Sequence, residues 1–465
     1  MKRLPSLWIF LFVMALACQT ITGKVPKSNQ VLTPSWIMPP TQAPAVTLIP
    51  TPTQIIASTS APSTTPGEET TTLNKWSLWV DGPHLRGANI HQRRIYPELD
   101  GPTYMGPGPL GPPFTQEDFN QLAELGANYV NISHPGLFSE KPPFTLDENV
   151  QQNLDQLLEM IAKADMFAVI SFRSGPGRSE FTFYWGTHGS WFTEDYYNDT
   201  VWKDEAAQEA WVAMWRYTAE RYKDNPVVVG YDLMVEPNSN DVWFNEWDPE
   251  TFYAQHGGSS YDWNQLAQRI SDGIRQVDAY SPILIGGNAY SAINWLPYVK
   301  VTGDARTVYL VHQYSPGQYT AQEPGEEGYT YPGEFDIDGN GSPEAFNRVW
   351  LEKTLFSVIE GFTSEPDHGR AVPVAANEYG VRRWAPGASD YLRDLMALFE
   401  AHHMNSALWE WSTSWPERAT SYDDYNFLHG LDPDNHEDVD NALQEVIRWF
   451  WSRNQYRPSN TRFGE

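Results

Sequence analysis

A chain of 465 residues, 41% hydrophobic and 19% charged, has the apolar material for a large buried core and too little charge density to be a disordered protein. Its formal net charge of -28 argues against nucleic acid and anionic lipid as main partners, since both repel an acidic surface, and its single cysteine, Cys18, excludes an intramolecular disulfide and a cysteine-based metal site. Aromatic residues, at 14%, are the outlier, and many fall in polar stretches such as EFTFYWGTHGSWFTEDYYNDTVW from Glu180, which reads as flat platforms on which sugar rings stack.

In chain order, residues 1–17 join a basic start (Lys2, Arg3) to an apolar stretch too short to span a bilayer and to small residues before Cys18. This resembles a lipoprotein signal peptide, with Cys18 lipidated as the first mature residue and the protein carried to the cell surface. Residues 18–75 are rich in Pro, Ser and Thr, carry few charges and lack periodicity, so they are expected to form an extended, disordered tether. Residues 76–465 remain for one folded domain.

Short apolar strands and amphipathic helices alternate through that domain. The strand candidates are LRGANIH (Leu85), ANYVNIS (Ala127), MFAVISF (Met166), VVVGYDLMVE (Val227), PILIGG (Pro282), TVYLVHQY (Thr307), VPVAANEYG (Val372) and NSALWEW (Asn405). Helical patterns separate them, with only NWLPYVK (Asn294) as a short candidate between the fifth and sixth. Eight βα units in one domain favour a closed α/β barrel, the (β/α)8 or TIM barrel, over an open sheet, and no glycine-rich phosphate turn follows the first strand. In such a barrel the chemistry sits at the carboxyl ends of the strands, where the sequence places Asn131, Arg173, Glu236, His312, Tyr314, Glu378, Trp409 and Trp411.

Two of these are carboxylates, Glu236 and Glu378, at the ends of the fourth and seventh strands, positions that can face each other across a barrel mouth. Cleavage of a glycosidic bond needs such a pair: one acid protonates the departing oxygen, and a second carboxylate attacks the anomeric carbon or guides water to it. Opposed carboxylates repel, so with Glu378 ionised Glu236 should stay protonated as the acid, and a Tyr314 hydroxyl donating to Glu378 would favour its ionised form.

The ordered motifs RGANIH, YDLMVEP, VHQY, ANEYG and WEWS resemble glycoside hydrolase family 5, the cellulase-type members of clan A, from about Trp76 to the end. The resemblance implies Glu236 as acid/base and Glu378 as nucleophile of a retaining β-glycosidase acting on glucan or mannan without a cofactor. It also implies substrate contacts from His91, His312 and Tyr314, and a sugar platform from Trp409 or Trp411, which spacing does not distinguish. Three positions depart from the family. Val235 replaces the asparagine before the acid/base, Asn131 the arginine of the second strand, and Arg173 the histidine of the third. Arg173 is expected to approach the nucleophile in place of the missing arginine, and Asn238 or Asn240 to supply the hydroxyl contact that Val235 lacks.

A stretch from Asp336, DIDGNGSPEAFN, opens like a calcium loop with Asp336, Asp338 and Asn340 as candidate ligands, but position twelve is Asn347 where a glutamate is expected. The resulting expectation is a monomeric, exported enzyme whose partner is a β-linked glycan, with membrane contact only through the lipid on Cys18. A non-catalytic glycan-binding lipoprotein and a transglycosidase remain as alternatives.

Overall fold

Eight parallel strands close into a barrel in chain order: β1 (Arg86–His91), β2 (Tyr129–Pro135), β3 (Phe167–Ser174), β4 (Val228–Asp232), β5 (Ile283–Gly286), β6 (Thr307–Gln313), β7 (Val374–Tyr379) and β8 (Ser406–Leu408). Each pairs with the next, and β8 pairs with β1. This computed structural model describes residues 71–464 apart from 81, 101–104, 188–191, 326–327 and 416–423. The expected signal segment, Cys18 and nearly all of the expected tether lie outside the described residues. Among those residues no helix is long and apolar enough to cross a membrane.

The helices follow the periodic segments: α1 (Gln116–Glu124), α2 (Glu148–Lys163), α3 (Glu205–Tyr222), α4 (Trp263–Arg275), α5, α6 (Ala388–Ala401) and α7 (Ala442–Trp451). α5 runs as Arg348–Trp350, a π-helical stretch Leu351–Phe356, and Ser357–Thr363. Their starts are written in the sequence. Thr115 and Asp118 form a reciprocal capping box on α1, and Asp147, Asp204, Asp262 and Asn441 each accept first-turn backbone N–H groups. Between β5 and β6 the short candidate is a 3-10 helix, Ile293–Tyr298, with Pro297 inside it; a residue without an N–H fits that short turn better than a continued α-helix.

The barrel interior is layered. Its floor is apolar, with Leu78, Trp79, Tyr129, Phe167, Val169, Val229, Leu284, Val308 and Leu310 packed together, and the Trp79 indole N–H donates to the Val229 carbonyl at 2.9 Å. Gly87 of RGANIH is a steric requirement there, because a Cβ would lie 1.8 Å from the Tyr129 carbonyl oxygen on the neighbouring strand. A strand Thr71–Leu73 pairs in parallel with Thr461–Phe463, and Leu73 and Phe463 pack against the floor.

Candidate active site

Above the apolar floor lies a polar layer. Asn131 donates to Asn89 Oδ1 at 2.7 Å and accepts from the Ser171 hydroxyl at 2.6 Å, Asn89 donates to the carbonyls of Asn377 (2.8 Å) and Ala407 (3.0 Å), and Asn377 donates to Asp232 Oδ2 at 2.7 Å. Burial pushes Asp232 up to about 6 against the charge of His312. Both ends of the Asn131 amide are thus committed inside the protein. Asn131 corrects the expectation of a substrate contact at this strand: it sits two residues below Ser133, the β2 residue that meets Arg173, and supports the site from beneath.

The two glutamates converge on one histidine. His312 and Glu378 are register partners on β6 and β7. His312 Nδ1 lies 2.9 Å from Glu236 Oε1 and 3.7 Å from Glu378 Oε2, and one oxygen of each carboxylate and a ring nitrogen of His312 all lie within 4.8 Å of one another. The Tyr314 hydroxyl donates to Glu378 Oε1 at 2.9 Å. Burial alone would pull His312 down; the charges of Glu378, Glu236 and Asp232 outweigh it and push it up to about 9. Burial pushes Glu378 up to about 7, with the charge of Glu236 adding to it and His312, Arg173 and the Tyr314 hydroxyl opposing. The three groups are close enough to ligate a divalent ion, yet a protonated imidazole already supplies the positive charge the carboxylates need.

Glu236 is not on a strand. β4 ends at Asp232, and the chain continues toward the mouth with Leu233 N donating to the Leu284 carbonyl (3.1 Å) and Val235 N to the Phe172 carbonyl (2.9 Å). Glu236 itself has φ of 54°, the left-handed region, where a non-glycine residue is strained by about 1–3 kcal/mol and persists only if its surroundings fix it.

Arg173 closes one wall of the site. Its Nε lies 3.3 Å from Glu180 Oε1, Nη1 is 3.4 Å from the Ser133 hydroxyl, and its guanidinium lies 4.0 Å from the Phe183 ring centroid and 5.8 Å from that of Trp409. Burial opposes its charge, but Glu180, Glu236 and Glu378 together hold it above the usual arginine value. Glu180 is buried, which alone would raise it; Arg173 and a 3.4 Å contact to His91 Nε2 outweigh that and hold it down at about 2. Sequence reasoning missed Glu180. Its signal was a lone carboxylate between Arg178 and the run Phe181–Tyr184, in a stretch read for its rings alone. Those rings do not form open platforms: Phe181, Phe183, Tyr184 and Phe192 pack with Tyr290 into a small core that backs Arg173. The side chains of Trp185 and Trp191 lie outside the described residues. Trp247 stacks on Tyr290 at 6.2 Å, and Trp243 carries Lys203 Nζ at 4.1 Å from its ring.

The geometry separates the two tryptophans. Because β8 ends at Leu408, strand alternation does not carry on through 409 to 411. Trp409 faces the site, clustered with Tyr314 and Tyr425 and 5.9 Å from the His91 ring. Trp411 turns outward into the main hydrophobic core, where its indole N–H donates to the Asp118 carbonyl at 2.9 Å and its ring lies 6.1 Å from Phe427. Trp411 is therefore a correction: it packs between barrel and helices. Asn238 and Asn240 are corrections too. Both are fully buried; the Asn238 amide donates to Thr182 Oγ1 (3.2 Å) and the Tyr290 hydroxyl (3.4 Å), and Asn240 bridges the Glu246 carbonyl and the Ala289 N–H. Neither is placed to make the contact that Val235 lacks.

The Asp336 stretch is the turn between two antiparallel strands, Gly333–Phe335 and Glu344–Phe346. Oxygens of Asp336, Asp338 and Glu344 come within 4.8 Å of one another. Asn340 is engaged within the turn: its amide donates to Asp338 Oδ2 at 2.9 Å and its oxygen accepts from Ser342 N at 2.9 Å. Asn347 is used as a helix cap, accepting from Val349 N and Trp350 N. Hydrogen bonds internal to the turn account for Asn340 and Asn347 without an ion.

A closed parallel barrel with helices around it and two buried carboxylates at its carboxyl mouth defines the (β/α)8-barrel class. The profile described as Cellulase (glycosyl hydrolase family 5) matches residues 94–414, and the chain belongs to that family. Endoglucanase C of Acetivibrio thermocellus is 24% identical over 214 residues, 45% of this chain and 52% of that protein. An endoglucanase of Paenibacillus polymyxa is 26% identical over 214 residues, 43% of this chain and 45% of the relative. The chain thus spans about half the length of the curated relatives it matches. Among solved structures, endoglucanase Cel5A of Thermotoga maritima superposes with a TM-score of 0.54 at 19% identity, covering 81% of this chain and 100% of that one, a likeness of fold. Structures of that protein include complexes with cellobiose and with mannotriose.

Proposed function

We propose that this chain is an exported, retaining β-glycosidase that hydrolyses O-glycosidic bonds of a β-linked glucan or mannan, held at the cell surface by a lipid on Cys18. One observation supports the retaining assignment: an oxygen of Glu236 and one of Glu378 approach within 4.8 Å of each other around His312 Nδ1, a close approach in keeping with the short carboxyl separation of double displacement.

In this reading Glu378 attacks the anomeric carbon from the ionised microstate, which the Tyr314 hydroxyl and the charges of His312 and Arg173 favour against burial. Glu236 gives its proton to the departing oxygen. It then takes a proton from the water that hydrolyses the glycosyl ester, which returns Glu378 to its ionised form. His312, within reach of both carboxylates, lets the proton that the pair shares redistribute as the charge on Glu378 is consumed and restored. Trp409 offers the plane for the sugar face at the cleavage point. No step requires a cofactor. The glucan or mannan assignment rests on the family and on the named relatives.

The test is product stereochemistry. Proton NMR during cleavage of an aryl β-cellobioside or β-mannobioside should record the β anomer first, before mutarotation; an initial α product would overturn the double displacement. Screening β-glucans and β-mannans with product analysis then fixes the sugar and linkage.

A further inference from the structure

We infer that Arg178 is the positioning residue of the acid/base: a buried guanidinium that clamps the backbone of Glu236 in its left-handed conformation. This rests on the reading of Glu236 given above.

Arg178 is fully buried, and among the described residues it has no ion-pair partner. Its Nη1 donates to the Val235 carbonyl at 2.8 Å and its Nη2 to the Glu236 carbonyl at 2.7 Å, while Nε meets no acceptor. Burial, with the like charge of Arg173 adding to it, pulls its pKa down to about 9. A buried cation held by two neutral carbonyls is a costly arrangement, and the feature it secures is the peptide on either side of the strained Glu236. The planar fork suits the task because it meets two successive carbonyls at once, which an ammonium group cannot do in a fixed geometry.

The clamp stands on a rigid base. Gly175 and Arg178 exchange backbone hydrogen bonds of 2.8 Å each, closing a tight turn directly after β3. The Trp211 indole donates to the Pro176 carbonyl at 2.7 Å, Gly177 N donates to the Glu140 carbonyl at 2.9 Å, and Val201 N donates to the Gly177 carbonyl at 2.9 Å. Gly177, at φ of 69°, could not carry a side chain, since a Cβ would lie 2.8 Å from Val201 N and from the Ala207 Cβ. The Arg178 guanidinium also lies 4.8 Å from the centroid of Phe183, the ring that carries Arg173. From the other side Tyr290 N donates to the Pro237 carbonyl at 3.0 Å, so the carbonyls of 235, 236 and 237 are all engaged by neighbouring loops. The Glu236 carboxyl is thereby aimed from its backbone, with His312 as its side-chain hydrogen-bond partner.

A residue that aims a general acid has a signature that a residue merely supporting the fold lacks. Protonation of the leaving group matters for a poor leaving group and hardly at all for an activated one. The experiment measures kcat/KM of wild type, Arg178→Lys, Arg178→Met and Glu236→Ala on aryl β-cellobiosides or β-mannobiosides ranging from dinitrophenyl to phenyl, with thermal melts to confirm folding. In Arg178→Lys the phenyl substrate should lose roughly 10- to 100-fold and the dinitrophenyl substrate less than about twofold, with Arg178→Met, where folded, at least as steep. Azide, which needs no general base, should accelerate turnover of the dinitrophenyl substrate and give a β-glycosyl azide, as in Glu236→Ala. An equal loss on every leaving group, or no loss, overturns the inference. If Glu236→Ala itself lacks the steepened dependence, the acid/base reading fails instead, so the two failures are distinguishable.

Discussion

The ends of β4 and β7 deliver the same functional group by different means. Glu378 belongs to a regular strand, in register with His312, and is held by side chains: a Tyr314 hydroxyl and the field of His312 and Arg173. Glu236 lies four residues beyond the last residue of its strand, in a strained conformation, and is held largely through its backbone. A nucleophile must keep one fixed line of attack, which a strand provides. An acid/base must reach the leaving oxygen and then a water, and a peptide projecting past the strand end toward the mouth suits that reach.

The comparison breaks most severely at Glu378. Glu378→Gln should lose roughly 10⁴-fold or more in kcat on every aryl glycoside, because no other carboxylate stands at that carbon; retention of even a hundredth of the activity would remove it as nucleophile. Glu236→Ala should lose roughly 10²- to 10⁴-fold, with the loss concentrated on poor leaving groups, as a steady-state series over leaving-group acidity would record.

Tyr314→Phe sharpens the β7 side. Its hydroxyl favours ionised Glu378, so its removal should raise the Glu378 pKa above about 7 and shift the acidic limb of the kcat/KM profile to higher pH. The loss should be roughly tenfold below the limb and shrink above it. Arg173→Ala should move the same limb in the same direction, since its charge also lowers Glu378; an unmoved limb would take Arg173 out of that role.

The smallest catalytic effect is expected at the tryptophans, where the readout changes kind. Trp409→Ala should raise KM for oligosaccharides with little change in melting temperature. Trp411→Ala should instead cost about 3–5 kcal/mol of stability with KM nearly unchanged, because it empties a packed site between barrel and helices. The opposite pattern would reverse their assignment.

The barrel was legible because strict alternation of apolar strands and amphipathic helices over eight units leaves few other topologies. The two glutamates were legible as charges at the ends of apolar strands. What the sequence hid lies where a local period stops. Reading 409 and 411 as one face extends the two-residue period past Leu408, where the strand has already ended. Asn131 points inward as expected but one pleat too low. Glu180 and Arg178 were hidden for a different reason: their burial is created by loops from β3, β4 and β5 meeting in space, and a stretch rich in rings gave no local sign that its two charges would be enclosed by them.

In the proposed double displacement Glu378 forms a covalent bond to the sugar while Glu236 does not. Incubation with a 2-deoxy-2-fluoro β-glycoside bearing a dinitrophenyl leaving group, followed by peptide mass mapping, tests it most directly, since the fluorine slows the second step more than the activated first. One fluoroglycosyl unit is expected on the peptide containing Glu378, formed with a stoichiometric burst of dinitrophenol and lost in Glu378→Gln. A label on any other residue, or turnover on the cleavable substrate without any trapped ester, would contradict it.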